Sequence, residues 1–86
     1  MVSEEELNEL VRQMVQAGRD KDYERFHELN VIFSGKETAF CEETGLPPFR
    51  TNKWDKARNQ VINYFGELQN GRDSPHYLDE ALRLIE

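Results

Sequence analysis

Residues 21–46 read KDYERFHELNVIFSGKETAFCEETGL, and the fold turns on whether they form one helix or two. Tyr23, Phe26, Leu29 and Phe33 recur at intervals of three and four, the spacing of one helical face. Phe40 extends the series, so Phe26, Phe33 and Phe40 stand seven apart and line one side of a continuous helix. Gly35 opposes this, because glycine inside a helix costs about 1 kcal/mol relative to alanine. The pattern predicts one helix over residues 21–44, capped by Asp20, with a kink or break at Gly35 as the competing form. Gly45 ends it: glycine enters the left-handed conformation at C′, Leu46 follows, and Pro47-Pro48 forbids continuation.

Upstream, Ser3 with Glu6 forms a capping-box pattern, and Glu4, Glu5 and Glu6 suit the positive end of a helix dipole. Leu7, Leu10, Val11, Met14 and Val15 then mark one apolar stripe, and Gly18 is the expected stop, giving a helix over about residues 4–17. Downstream, Thr51 or Asn52 can cap a helix over 52–69 whose apolar positions are Trp54, Ala57, Val61, Tyr64 or Phe65, and Leu68. After the Asn70-Gly71 turn, Ser74-Pro75 reads as an N-cap with an N1 proline opening a helix over 75–86. No stretch alternates with period two between hairpin turns, so the fold class is all-α, a four-helix bundle in a single domain, residues 1–86. The expected core is Leu10, Met14, Phe26, Leu29, Phe33, Phe40, Trp54, Val61, Phe65, Leu78 and Leu82.

A chain of 86 residues buries only about 60% or slightly more of its unfolded surface, so this core must be economical. Apolar residues make up 37% and charged residues 33%, leaner and more charged than an average domain. The net charge of −6 opposes unaided binding to phosphate backbones or anionic membranes and favours a basic partner. Cys41 is the lone cysteine, so no intramolecular disulfide staples the fold and a reducing, cytoplasmic setting is expected. The N-terminus shows no secretory pattern, and no run approaches the roughly 20 apolar residues of a membrane span.

Catalytic chemistry has few candidates. Cys41 lies near a predicted helix C-terminus, where the dipole disfavours a thiolate. Glu24 and His27 have the E-x-x-H spacing that di-iron bundles use in duplicate with two further glutamates, but a second pair is not present. His76 falls in a first turn that is normally solvated. No phosphate-cradling glycine loop, zinc-ligand spacing or nucleophile elbow occurs, so no enzyme activity, metal or cofactor is expected.

The charge is uneven. Glu4, Glu5, Glu6 and Glu9 make residues 1–11 acidic, whereas Arg50, Lys53, Lys56 and Arg58 outweigh Asp55 over residues 50–60. Between two helices lies Gly45-Leu46-Pro47-Pro48-Phe49-Arg50-Thr51-Asn52-Lys53-Trp54. It resembles the connection in the recombinase-type helix-turn-helix region of large serine recombinases, where a helix ends at glycine, Ile or Leu and proline follow, and a basic stretch leads to tryptophan. Gly45, Leu46, Pro47, Arg50, Lys53 and Trp54 match in place, while Thr51 replaces a second glycine and Val61 arrives later than the family's valine. The match is good over about ten residues and loose from Lys36 to Ile62.

The residues support two functional readings. In the first, the chain is a small acidic, non-enzymatic protein-interaction module, a regulator or inhibitor of the kind common among phage and plasmid accessory proteins. Its acidic first helix, through Glu4, Glu5 and Glu9, meets a basic or nucleic-acid-handling protein. In the second, residues 45–60 form a helix-turn-helix-like nucleic-acid binder, with Arg50, Lys53, Lys56 and Arg58 on phosphates and Asn52, Asn59 or Gln60 at base edges. The bland alternative for the same segment is that Trp54 anchors the Pro-Pro connection and the lysines are its solvated rim.

Overall fold

The computed structural model describes residues 1–46 and 52–86. Four helices form: α1 (Glu4–Arg19), α2 (Tyr23–Thr44), α3 (Lys53–Gln69) and α4 (His76–Leu84). The fold is all-helical, as the periodicity requires. Ser3 Oγ accepts from the Glu6 amide at 3.2 Å and opens α1. The Glu6 carboxylate does not reach back to Ser3 but pairs with Lys36 of α2 at 3.4 Å.

Gly18 does not stop α1. The helix runs on to Arg19, Asp20 is its C-cap, and Lys21 takes the left-handed position at φ 56°. The Lys21 amide bonds to the Gly18 carbonyl and the Asp22 amide to the Ala17 carbonyl, a Schellman closure carried by lysine in place of glycine. The N-cap of α2 is therefore Asp22 and not Asp20; its carboxylate accepts from the Arg25 amide at 3.0 Å.

From there α2 is continuous for 22 residues across Gly35, where a Cβ would meet no atom within 4 Å. The helix is not broken there. Gly45 (φ 76°) closes the helix as the sequence predicts, and Gly71 (φ 79°) closes the turn after α3 with the same paired bonds back to Leu68 and Glu67. The expected cap at Ser74 is absent. Pro75 occupies the N-cap of α4 with no side-chain bond, so this helix is shorter than the predicted 75–86.

Helix α1 lies at the centre, packing on α2, α3 and α4. Pairings along its length fix the directions. Glu6 meets Lys36 while Val2 meets Glu43, so α1 and α2 are antiparallel. Asn8 accepts from Trp54 Nε1 at 2.7 Å and Arg19 meets Asp79, which sets α3 parallel to α1 at its start and places the start of α4 against the end of α1. Nine of the expected core residues are buried, while Leu10 and Leu82 are only partly so. Leu7, Val11, Val15, Ala57, Tyr64 and Ala81 fill the interior beside them.

Candidate functional site

Helices α2 and α3 run antiparallel, linked by a ladder of side chains from one end to the other. Tyr23 meets Phe65 edge-on at 5.4 Å, Asn30 accepts from Arg58 at 3.1 Å, Glu37 accepts from Asn52 at 3.2 Å, and Phe40 meets Trp54 at 5.2 Å. Such alignment differs from the 90–120° crossing of a helix-turn-helix pair.

The seam between them has an unusual composition. On α2 the outward row beside α3 is Tyr23, His27, Asn30, Ser34 and Thr38, at helical spacing and uncharged but for His27; the carboxylate that α2 turns toward α3 is the half-buried Glu37, which accepts from Asn52 at the far end. On α3 the facing row is Asp55, Asn59, Ile62, Gly66 and Gln69. Its one carboxylate is spent internally: Asp55 pairs with Arg58 at 2.5 Å, and both are shielded, with side chains 15% and 17% exposed. From Asn30 to the Tyr23 end the seam thus carries no carboxylate or lysine, in a chain that is one-third charged. Protein interfaces are depleted of charge in their centres and enriched in aromatics.

At one end the seam opens into a groove of about 200 Å3 lined by Tyr23, Phe26, His27, Asn30, Ile62, Phe65, Gly66 and Gln69. Phe26 and Phe65, with ring centroids 5.1 Å apart, are its buried floor. Tyr23 and Ile62 are the exposed walls, at 52% and 42%, and His27 lies over the Tyr23 ring. Gly66 leaves the α3 side open, since a Cβ there would touch nothing.

The residues singled out from sequence are distributed elsewhere. Glu4, Glu5 and Glu9 are exposed on α1, but Arg12 bridges Glu5 and Glu9 at 2.9 and 3.2 Å and holds the Glu5 carboxyl below its usual range. Arg50 lies outside the described residues, as do Pro47 and Thr51 of the loop that carries the recombinase resemblance. Lys53 sits over the Trp54 ring at 5.0 Å, and Lys56 is exposed without an ion pair among the described residues. Arg58 is bound to Asp55, Asn30 and Asn59 and lies over Phe33, so its charge is turned inward. The basic stretch is not gathered into one patch by the described residues.

The chemistry-bearing side chains are also dispersed. Cys41 is buried, and burial, then Glu37 and Asp55, push its thiol up, away from the thiolate form. Glu24 and His27 are exposed, and among the described residues no three His, Cys, Asp or Glu side chains gather around a metal-sized site. No described helix is long and apolar enough to cross a membrane.

No family model, curated protein or solved structure matches the chain. The seam therefore stands on its own geometry. Sequence periodicity places Tyr23 in the apolar series and His27 in a metal pair, and passes over Asn30, Ile62, Gly66 and Gln69. The signal that finds them is the uncharged row at helical spacing on each helix.

Proposed function

We propose that this chain acts by binding a partner protein, as a small acidic interaction module of the regulator or inhibitor type, and that the α2–α3 seam is the surface it uses. The observation that carries the reading is the charge-depleted seam with Tyr23 and Ile62 exposed around an aromatic floor. Its groove is smaller than the roughly 300–1,000 Å3 of small-molecule and cofactor sites, and it suits one inserted side chain of a protein partner. Anchors of that kind, seated in a small pocket and ringed by near-neutral contacts, carry most of the energy in protein interfaces. The acidic face of α1 is the weaker candidate, because Arg12 and Lys36 already answer three of its glutamates. Nucleic-acid binding by residues 45–60 has less support, because Arg58 is engaged within the fold and the net charge is −6.

The test is site-directed photo-crosslinking in the native host, with a photoreactive residue at position 62 or, as the control, at position 12 on α1. Position 62 is expected to trap one protein species, and position 12 is not. Adducts with nucleic acid from position 62, or protein adducts from position 12 alone, overturn the proposal.

A further inference from the structure

Provided that the seam is the binding surface, as proposed above, the chemistry of its occupant is written in its two flanks. Beyond that row of α2 lies a second one shifted by one position, Glu24, Glu28, Val31, Gly35 and Ala39, continued a turn later by Glu42. Glu24 and Glu42 have no ion pair among the described residues, and Arg25 reaches Glu28 only at 3.7 Å. On the other side, the row outside the α3 wall is Lys56, Gln60, Asn63, Glu67 and Asn70, mostly amides, with one cation and one carboxylate that Arg72 pairs. One flank is acidic and the other close to neutral.

We infer that the seam receives an amphipathic helix from a partner protein, with apolar anchors toward Phe26 and Phe65 and lysine or arginine on the flank that faces α2. Three features point there. A trough between two antiparallel helices takes a third helix by its apolar stripe, read as anchors at i, i+3 or i+4, and i+7. The asymmetric rim complements a helix that is basic on one side only. Gly66 supplies the third: unlike Gly35, which is equally open, it lines the groove, and no atom of the described chain occupies the space its Cβ would fill. The room it leaves serves a group arriving from outside. A second copy of the chain fits poorly, since each copy carries −6 and brings the same acidic rim to the contact.

Two synthetic peptides of about five helical turns test this with the intact chain. They share one apolar stripe and differ only in whether one flank carries lysine or glutamate. Affinity is read by fluorescence anisotropy, the site by amide chemical-shift changes, and self-association by sedimentation of the chain alone. The lysine peptide is expected to bind at least about tenfold more tightly, to weaken with salt, and to shift Tyr23, His27, Ile62, Gly66 and Gln69. Ile62→Glu is expected to abolish binding, and Glu24→Lys with Glu28→Lys and Glu42→Lys to weaken it about tenfold, largely through the association rate. Gly66→Gln, which fills the groove from an exposed position, gives an independent loss if Ile62→Glu disturbs the fold. Equal or reversed peptide preference, shifts centred on Glu4, Glu5 and Glu9, or a seam-dependent dimer overturns the inference. A protein trapped from position 62 in any of those cases leaves the wider reading standing, whereas no trapped protein there removes both.

Discussion

Gly18 and Gly66 are both glycines inside helices, and their surroundings are opposite. A Cβ on Gly18 would come within 2.7 Å of Leu78 Cδ2 and 3.5 Å of the Tyr64 ring, so glycine is what lets α4 close onto α1. A Cβ on Gly66 would meet nothing. At Gly18 the α1–α4 contact is filled by Leu78, and outside it Arg19–Asp79 at 3.2 Å and Lys21 and Tyr64 converging on Asp73 border a wide, shallow depression. The α2–α3 seam is joined at its base and left open above. Backbone and side chain meet without spare room at Gly18, and room remains at Gly66.

The contrast is most vulnerable at Gly18. Gly18→Leu is expected to cost about 3 kcal/mol, because the added side chain must displace Leu78 from a filled interior. Gly66→Ala should do the opposite and stabilise the fold by about 0.8 kcal/mol, the helix-propensity gain at an unobstructed site, while narrowing the groove. Urea unfolding of both variants checks the pair. A destabilised Gly66→Ala would mean that the seam is packed and not open, and a neutral Gly18→Leu would mean that α4 is loosely held.

The same two glycines show how far the sequence can be read. Helical periodicity locates all four helices, because the apolar residues repeat at three and four with little interruption. Gly45 and Gly71 are legible as closures because nothing nearby competes for the left-handed position. Gly18 misleads, since the D-K-D run at residues 20–22 lets lysine take that position and frees glycine for packing. Ser74 misleads because Pro75 itself takes the N-cap position. The seam is illegible for a different reason. Periodicity says which face of a helix is buried, but which flank stays open depends on how far apart its two neighbours stand, and that is a tertiary property. Tyr23 obeys the apolar rhythm and still exposes half its surface.

A smaller effect tests the closed side alone. Lys21 holds a left-handed backbone that costs a non-glycine residue about 1 kcal/mol. Its exposed pair with Asp73, at 3.1 Å, is screened by solvent and offsets little of this. Lys21→Gly is therefore expected to raise stability by roughly 0.5–1 kcal/mol by thermal unfolding. A loss instead would show that the clasp of Lys21, Asp73 and Tyr64 holds the α1–α2 turn against α3 more firmly than its exposure implies.

The subtlest contrast is in acid, where the two regions respond with opposite signs. Hydrogen bonds from Lys21 and then Tyr64 hold the Asp73 carboxyl below its usual range, so the folded state binds that proton less readily than the unfolded chain. Its contribution is fully present above the ordinary aspartate pKa of about 3.9 and disappears as pH falls through the lower folded value. At the far end of the seam, partial burial raises Glu37 despite the Asn52 hydrogen bond, with the Asp55 charge adding to the rise. There the folded state binds the proton more readily, so the ionised carboxylate weakens the fold above the raised value and ceases to do so as pH falls through it. Asp73→Asn should accordingly lower stability at neutral pH, with the deficit beginning to shrink as pH falls below about 4. Glu37→Gln, whose amide oxygen can still accept from Asn52, should raise stability at neutral pH, with the gain vanishing over the carboxylate range as pH falls. Denaturant midpoints of the parent and both variants from about pH 3 to 7 give the test. Parallel curves for all three proteins would show that neither carboxylate feels its surroundings. Curves diverging from the parent in the same direction would show that the open seam and the closed clasp are electrostatically alike.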